Sequence, residues 1–422
     1  DLVRSRGLGD VYKRQVQGLA EMMNSYGVIH NDAEVVSKIV ASQAHHKKID
    51  GHAPGLQGKD LDTYVAAGVY SDHECATMED ALAKLQRGQF IMIREGTAAR
   101  NLEALAPLLT PQYAERCMFC TDDKHPSDLL EKGHIDYIAR EAINKYGVDP
   151  IIAVKAACHH ASRYFLLNNR GAIAPGYLAD FAVIDNFKDF NVEMVFKKGV
   201  LYWNNGELRD FEAPKIEEYL DKRAHDTFHV STLTPDDFRD TRQRGVLGMV
   251  PGEIITTDNG YADHVDLEKD ILKIAVVERH KGTHHIGLGY IQGYGLKSGA
   301  VATSISHDSH NIIVVGTNSA DMAFAANYIV EHHGGIVVVE NGTVKGSVVL
   351  EIAGIMSDRP LTEVNDQLEA AKDAAFTLGV SRGIDPFMTL SFMALPVIPK
   401  LRITTRGVVD VDTQQYLSLI HI

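Results

Sequence analysis

From residue 16 to about residue 138, short apolar runs alternate with amphipathic stretches. Phe90-Ile-Met-Ile-Arg94 suits a strand, whereas Glu79-Asp-Ala-Leu-Ala-Lys-Leu-Gln-Arg87 puts Ala81, Leu82 and Leu85 on one helical face, and Gly88 ends that helix. Residues 47–52, 68–73, 90–95 and 116–121 then read as four successive strands, and the run carrying Glu21 makes a fifth. Repeated βα units of this kind predict part of an eight-stranded (β/α) barrel, with about three strands lying upstream.

Past the barrel, Asp149 and Pro150 open a helix over 149–162 as cap and first-turn residue. Residues 170–185 read as turn and strand, and 195–208 add strands around Asn204-Asn205-Gly206, giving a small β unit. Residues 212–242 are charged and poor in long apolar runs, which marks a domain boundary. Beyond it 271–278, 312–316, 335–340 and 344–352 read as strands, the last two as a hairpin around Asn341-Gly342. Between them 321–332 carries Met322, Ala325, Ala326 and Ile329 on one helical stripe. The glycines of 287–295 lack the strand, glycine loop and helix order of a phosphate site, and predict a bulged hairpin. The expected fold is α/β: a partial (β/α)8 barrel over 16–165, part of a small β-sandwich over 166–211 and an α+β C-terminal domain over 212–416.

The two ends carry a different message. Asp10-Val-Tyr-Lys-Arg-Gln15 can be encoded by GAT GTG TAT AAG AGA CAG, and the reverse complement of that DNA reads Leu-Ser-Leu-Ile-His-Ile, the text of residues 417–422. Residues 1–15 and 417–422 are therefore expected to be one adapter translated in its two orientations, and the native text to open in mid-domain.

With 422 residues, 45% of them hydrophobic and 23% charged, the chain has material for two or three domains. A net charge of -14 argues against nucleic-acid or anionic-membrane partners and leaves a small neutral or cationic substrate. No run of eighteen apolar residues occurs, and four cysteines are too few for a disulfide scaffold, so a reducing, cytoplasmic setting is expected. Cys117 and Cys120, three apart in a strand, face opposite sides and are not expected to share a metal.

The chemistry gathers at strand ends. Glu21 is an acid in an apolar strand end, where burial is costly unless function needs it. His52 sits between Gly51 and Ala53-Pro54-Gly55, and His73 repeats the arrangement one βα unit later; imidazole with carboxylate suits Zn, Fe or Mn. Of the neighbours Asp122 and Asp123 a strand turns only one inward, to hold metal or take a proton, while the other caps the next helix; Asp122 is favoured as the ligand. Glu74 reads as a substrate contact, a proton shuttle or a surface ion pair, and Arg94 and Glu95 as substrate contacts or barrel salt bridges. His45-His46 and His332-His333 read as solvated pairs at helix ends. Ser304-Ile-Ser-His307-Asp308-Ser-His310-Asn311 is either a loop reaching the barrel mouth or a turn that satisfies itself.

Six strings carry a resemblance: Gly-Leu-Ala-Glu21-Met-Met-Asn, Asp-Gly-His52-Ala-Pro-Gly-Leu, Ser-Asp-His73-Glu, Cys-Thr-Asp122-Asp-Lys-His-Pro, Arg170-Gly-Ala-Ile-Ala-Pro-Gly-Tyr-Leu-Ala-Asp180 and His307-Asp-Ser-His310-Asn. Together, over 16–415, they resemble the bacterial adenine deaminases of the amidohydrolase superfamily. The Arg170 string marks only the superfamily; the His52 and His307 strings are particular to this family. The resemblance implies a metal-dependent hydrolase barrel, a small β-sandwich and an extra C-terminal domain. It implies two divalent transition-metal ions, manganese or iron with zinc as an alternative, held by a His-x-His, a glutamate, two histidines and an aspartate. Glu21, His52, His73 and Asp122 match the later four. The His-x-His has no counterpart, so the 422-residue chain is expected to be inactive.

For the intact parent the implied reaction converts adenine and water to hypoxanthine and ammonia through a metal-activated hydroxide. Glu21 or Glu74 protonates ring nitrogen, and Asp122 or a nearby histidine moves the water proton to the departing amine. Arg94, Glu95, Asp123, His307, Asp308 and His310 are the expected substrate contacts, and a homo-oligomer is expected. Another amidohydrolase, acting on a cyclic amide or aminated heterocycle, would share the ligands without needing the 307–311 loop. A non-catalytic purine-binding protein would share the fold without metal.

Overall fold

The computed structural model describes residues 18–97, 99–212, 214–239, 242–250 and 254–417. The adapter reading of 1–15 lies outside these, as do 418–422. Contacts divide the chain into two compact units, Asp1–Ala213 and Pro214–Ile422.

In the first unit β1 (Gly18–Met22), β2 (Lys48–Gly51), β3 (Ser71–Asp72), β4 (Phe90–Arg94) and β5 (Cys117–Cys120) follow one another. β1 pairs with β2, β3 with β4 and β4 with β5, all parallel. Between β2 and β3 the ladder gives way to single bonds, Tyr70 N–H to Ile49 O at 2.9 Å and Gly51 N–H to Ser71 Oγ at 3.4 Å. Parallel neighbours need a crossover, and α1 (Ala33–Ala44), α2 (Gly58–Ala66) and α3 (Met78–Gln86) supply the first three. Asp32 caps α1 by accepting from Glu34 and Val35 N–H, and Thr77 caps α3 through Asp80 N–H. The result is a partial (β/α) barrel. Ile91 and Ile93 of β4 and Cys117 of β5 are fully buried against Leu102, Leu108 and Ile138.

One helix buries more than its apolar face. The buried residues of α3 are Asp80, Ala81 and Lys84, and Leu82 and Leu85 pack only partly. A lysine turns inward because acceptors for all three of its protons wait there, Ala53 O and Asp72 at the strand ends and Asp80 on its own helix.

The predicted helix at 149–162 forms, with Asp149 accepting from Ile151 and Ile152 N–H at 2.9 and 3.2 Å. It widens to π geometry over Lys155–His159 before resuming at His160–Tyr164. Then β6 (Phe181–Ile184), β7 (Val192–Lys197), β8 (Val200–Asn204) and β9 (Glu207–Leu208) make an antiparallel sheet in chain order.

The second unit is built on eight strands: β10 (Arg244–Met249), β11 (Thr256–Ala262), β12 (Ile271–Val277), β13 (Ile286–Gln292), β14 (Ala300–Thr303), β15 (Ile312–Gly316), β16 (Gly335–Glu340) and β17 (Thr343–Val349). Their order across the sheet is β11-β10-β13-β12-β15-β14-β16-β17. Only β10 and β13 pair in parallel. α4 (Ser319–Glu331) buries Met322, Ala325, Ala326 and Ile329 completely, the stripe read from the sequence. The hairpin turn is also as read, with Glu340 opposite Thr343 and φ of +52° and +67° at Asn341 and Gly342.

The bulged hairpin expected over 287–295 is not what forms. β13 runs in unbroken register with β12 and occupies the middle of the sheet. Its glycines serve close approach: β18 (Leu401–Thr404), β19 (Gly407–Asp410) and β20 (Gln415–Tyr416) form a small sheet, and a Cβ at Gly287 would meet Thr404 O at 1.9 Å. Among the described residues no helix is long and apolar enough to cross a membrane.

Candidate metal centre

Three consecutive strand ends deliver the acid and imidazole groups. Glu21 lies in β1, His52 follows β2 directly and His73 follows β3. His73 Nε2 lies 3.0 Å from Glu21 Oε2 and 3.3 Å from Glu74 Oε1. His52 Nδ1 lies 3.7 Å from Glu21 Oε1 and 3.5 Å from Glu74 Oε1. The two imidazoles meet edge to face, with ring centroids 5.4 Å apart. Ligand atoms of Glu21, His52 and His73 all fall within 4.8 Å of one another, and so do those of His73, Glu74 and Asp122. His73 belongs to both groups, so the two could share a pair of neighbouring ions.

Asp122 stands just past β5 with φ of +55°, a conformation rare for a side chain other than glycine and often found where function fixes the backbone. Of the two adjacent aspartates it is the one that supplies an oxygen to the cluster. Arg94, at the end of β4, donates to both Glu74 and Asp122.

The electrostatics follow from this crowding. Burial alone would disfavour protonated His73, but the bonds to Glu21 and Glu74 outweigh it and raise the imidazole from 6.5 to about 10. Burial likewise opposes ionised Glu74, but the His73 bond and the charge of Arg94 hold its carboxyl down at about 2. Glu74 is therefore an anion at neutral pH.

Whether a cation fits can be asked of the atoms directly. His52 Nδ1 is buried and makes no hydrogen bond. Its nearest carboxylate oxygens, at 3.5 and 3.7 Å, stand beyond hydrogen-bond reach but close enough to share an ion. A buried nitrogen lone pair facing two acids and a second imidazole is a donor set for a divalent transition metal.

A third close group, Asp72, Cys75 and Asp80, is different. Lys84 Nζ already fills it, 2.9 Å from Asp72 and 3.0 Å from Asp80, and burial keeps the Cys75 thiol protonated by pushing its pKa up. That cage holds its own cation.

The other expected contacts each have their own surroundings. Glu95 accepts from Leu102 N–H at 3.3 Å, and burial raises its carboxyl pKa. Asp123 accepts from Thr97 N–H through its backbone carbonyl. In the second unit His307, Asp308 and His310 lie on the connection from β14 to β15. His307 Nδ1 is 2.8 Å from Asp308 Oδ1, and its ring stacks on Phe392 with centroids 4.9 Å apart. His310 has φ of +47° and a buried Nδ1 without a hydrogen bond, and burial lowers its pKa. Both histidine pairs, His45-His46 and His332-His333, close helices at their C-terminal ends.

Three buried groups escaped the sequence reading: Tyr64, Asp72 and Lys84. A signal existed for Lys84, which stands three after Ala81 and four after Asp80 and so shares their face. Nothing in the local pattern marked Tyr64.

Acid and imidazole groups gathered at successive parallel strand ends are the arrangement of a metal-dependent hydrolase of the amidohydrolase class. Residues 10–202 match the profile described as "Amidohydrolase family", and residues 253–415 match "Adenine deaminase C-terminal domain". The adenine deaminase of Desulfatibacillum aliphaticivorans is 45% identical over 413 residues, which is 96% of this chain and 72% of that protein. Adenine deaminase of Nitratidesulfovibrio vulgaris (strain DP4) is 43% identical over 419 residues, 96% of this chain and 71% of that protein. The chain belongs to the adenine deaminase family. Among solved structures, the beta-aspartyl dipeptidase of Fervidobacterium islandicum AW-1 aligns at TM-score 0.36 and 17% identity, over 44% of this chain and 54% of that one, too little to carry an argument.

Proposed function

We propose that Glu21, His52, His73 and Asp122 hold two divalent transition-metal ions, manganese or iron with zinc as an alternative, and that this centre deaminates adenine. The observation that carries the reading is the buried, unbonded Nδ1 of His52, set among Glu21, Glu74 and His73. Such ions supply Lewis acidity and bring the pKa of water down towards about 7.

The side chains then have a balanced task. The nucleophilic water must lose one proton as its oxygen bonds to C6 of the purine. Glu74, ionised at neutral pH, accepts that proton and passes it to the ring nitrogen, so negative charge does not build up there. Glu21 is the alternative donor. In the second half, Asp122 takes the remaining hydroxyl proton and gives it to the amino group. The C6–N bond breaks, ammonia leaves, and hypoxanthine keeps the proton on its ring nitrogen. Arg94 helps to keep Glu74 ionised and also pairs with Asp122, which holds both carboxylates in place. Arg94, Glu95, Asp123, His307, Asp308 and His310 are proposed to contact substrate.

The barrel at 16–165, the sandwich part at 166–211 and the third domain at 212–416 belong to the same proposal, with cytoplasmic location and homo-oligomeric assembly. Four free thiols, Cys75, Cys117, Cys120 and Cys158, fit a reducing compartment. The test is metal analysis of a full-length form that carries the His-x-His, followed by ammonia release from a panel of purines and cyclic amides, with Mn, Fe and Zn added in turn. Metal uptake that His52→Ala abolishes, with ammonia released from adenine, is the expected result. A chain that retains no transition metal, or that acts only on cyclic amides, defeats the proposal.

A further inference from the structure

We propose that Tyr64 and Lys84 are positioning residues that set the separation of Glu21, His52 and His73; the idea rests on the metal-site reading above. Neither side chain points into the cluster. Each comes from the helix after a ligand-bearing strand, passes through the core without solvent exposure, and ends on the backbone beside the ligands.

Tyr64, from α2, uses its hydroxyl in both directions. Oη donates to Met22 O at 2.5 Å and accepts from His52 N–H at 3.0 Å. Met22 follows Glu21 directly, so one phenol oxygen joins the end of β1 to the end of β2. With donor and acceptor both engaged, the oxygen has no freedom to let the two strands slide.

Lys84, from α3, makes the next join. Its Nζ donates to Ala53 O at 2.7 Å, to Asp72 Oδ2 at 2.9 Å and to Asp80 Oδ2 at 3.0 Å, which uses every proton of the ammonium. Asp72 Oδ1 closes the ring by accepting from Ala53 N–H at 2.7 Å. Ala53 follows His52 and Asp72 precedes His73. The join therefore runs between the backbones that carry the two imidazoles, at the point where the regular ladder from β2 to β3 is interrupted.

A buried ammonium flanked by two carboxylates is a costly way to fill a core, since apolar side chains of the same volume are often as stabilising or more so. What apolar side chains cannot do is fix three strand ends by directed bonds. Partners of this outer kind typically change metal affinity by about 10–100-fold when removed.

The test uses the full chain, stripped of metal and titrated with Mn2+ alone, with thermal unfolding measured in parallel. Tyr64→Phe keeps the ring and loses only the bridging oxygen; Lys84→Met removes the ammonium. Both are expected to weaken Mn2+ binding by about 10–100-fold. Ile138→Val, a core change elsewhere in the unit, is expected to lower the unfolding midpoint and leave Mn2+ affinity as it was. Should Lys84→Met fail to fold, Tyr64→Phe decides alone. Unaltered Mn2+ affinity in Tyr64→Phe overturns the positioning role while leaving the metal centre standing. If the parent chain binds no Mn2+, the metal centre falls first and this inference with it.

Discussion

Arg94 grips Glu74 with two prongs, Nη1 on Oε1 and Nη2 on Oε2 at 3.1 Å, while Nη1 also reaches Asp122. The two side chains are only 7% and 9% exposed, so the pair is nearly dry and removing one partner strands a charge. Arg94→Met should therefore lower the unfolding free energy of the metal-free chain by about 3–5 kcal/mol. Urea titration checks this, and a loss under about 1 kcal/mol would mean that water screens the pair after all.

The metal-free chain should be most stable between pH 4.5 and 6.5. His73 is raised from 6.5 to about 10, so its contribution is complete below 6.5 and is lost as pH rises through about 10. Glu74 is lowered from 4.5 to about 2, so its contribution is complete above 4.5 and is lost as pH falls through about 2. Melting curves from pH 4 to 10 should fall off on the alkaline side, and His73→Gln should flatten that limb. A midpoint that stays constant from pH 6 to 10 would contradict the coupling. Mn2+ should weaken the alkaline slope, since a metal displaces the proton it competes with.

In the second unit, Arg279 has its guanidinium on the carbonyls of Thr227, His310 and Ala353 and its face over Phe228 at 4.3 Å. Burial lowers its pKa from 12.5 to about 10, and it still holds three separate segments together. Arg279→Met leaves those carbonyls without donors, at about 1–3 kcal/mol for each group left buried. Amide exchange should quicken at His310 and Ala353 before the sheet opens. Unchanged protection at both would show that the segments hold without it.

Two glycines separate steric from conformational cost. Alanine at Gly287 would press on Thr404 O and Gly407 N, at 1.9 and 2.5 Å, both backbone atoms that cannot swing aside. Gly287→Ala is expected to cost about 3 kcal/mol, the upper end for overpacking. Gly342 has open space around it but φ of +67°, so Gly342→Ala should cost only the left-handed penalty of about 1–2 kcal/mol. Denaturant unfolding of the two variants side by side would reject the steric account if the order reversed.

Much of this architecture was legible because periodicity reports burial. The α4 stripe and the Asn341-Gly342 turn needed only local spacing and turn chemistry. So did the strand ends bearing Glu21, His52, His73 and Asp122, where small or apolar neighbours flank each group. What stayed hidden depends on partners far away in sequence. Gly287 looked like a turn residue because the strand that crowds it begins more than a hundred residues later. Lys84 was not singled out, because a charged residue by itself gives no sign of burial unless Asp72 and Asp80 are known to be waiting. Arg94 was read as a contact for substrate or for a salt bridge, and only the fold brings Glu74 and Asp122 to its guanidinium together.

The parallel match of β10 to β13 limits how the second unit can be trimmed. The family profile begins at residue 253, yet β10 ends at Met249 and covers one side of β13, whose inner residues are buried. A shortened protein starting at the profile boundary would bare a long apolar edge with unpaired amides, a template for chain-to-chain aggregation. Expression of this unit by itself should start ahead of Arg244.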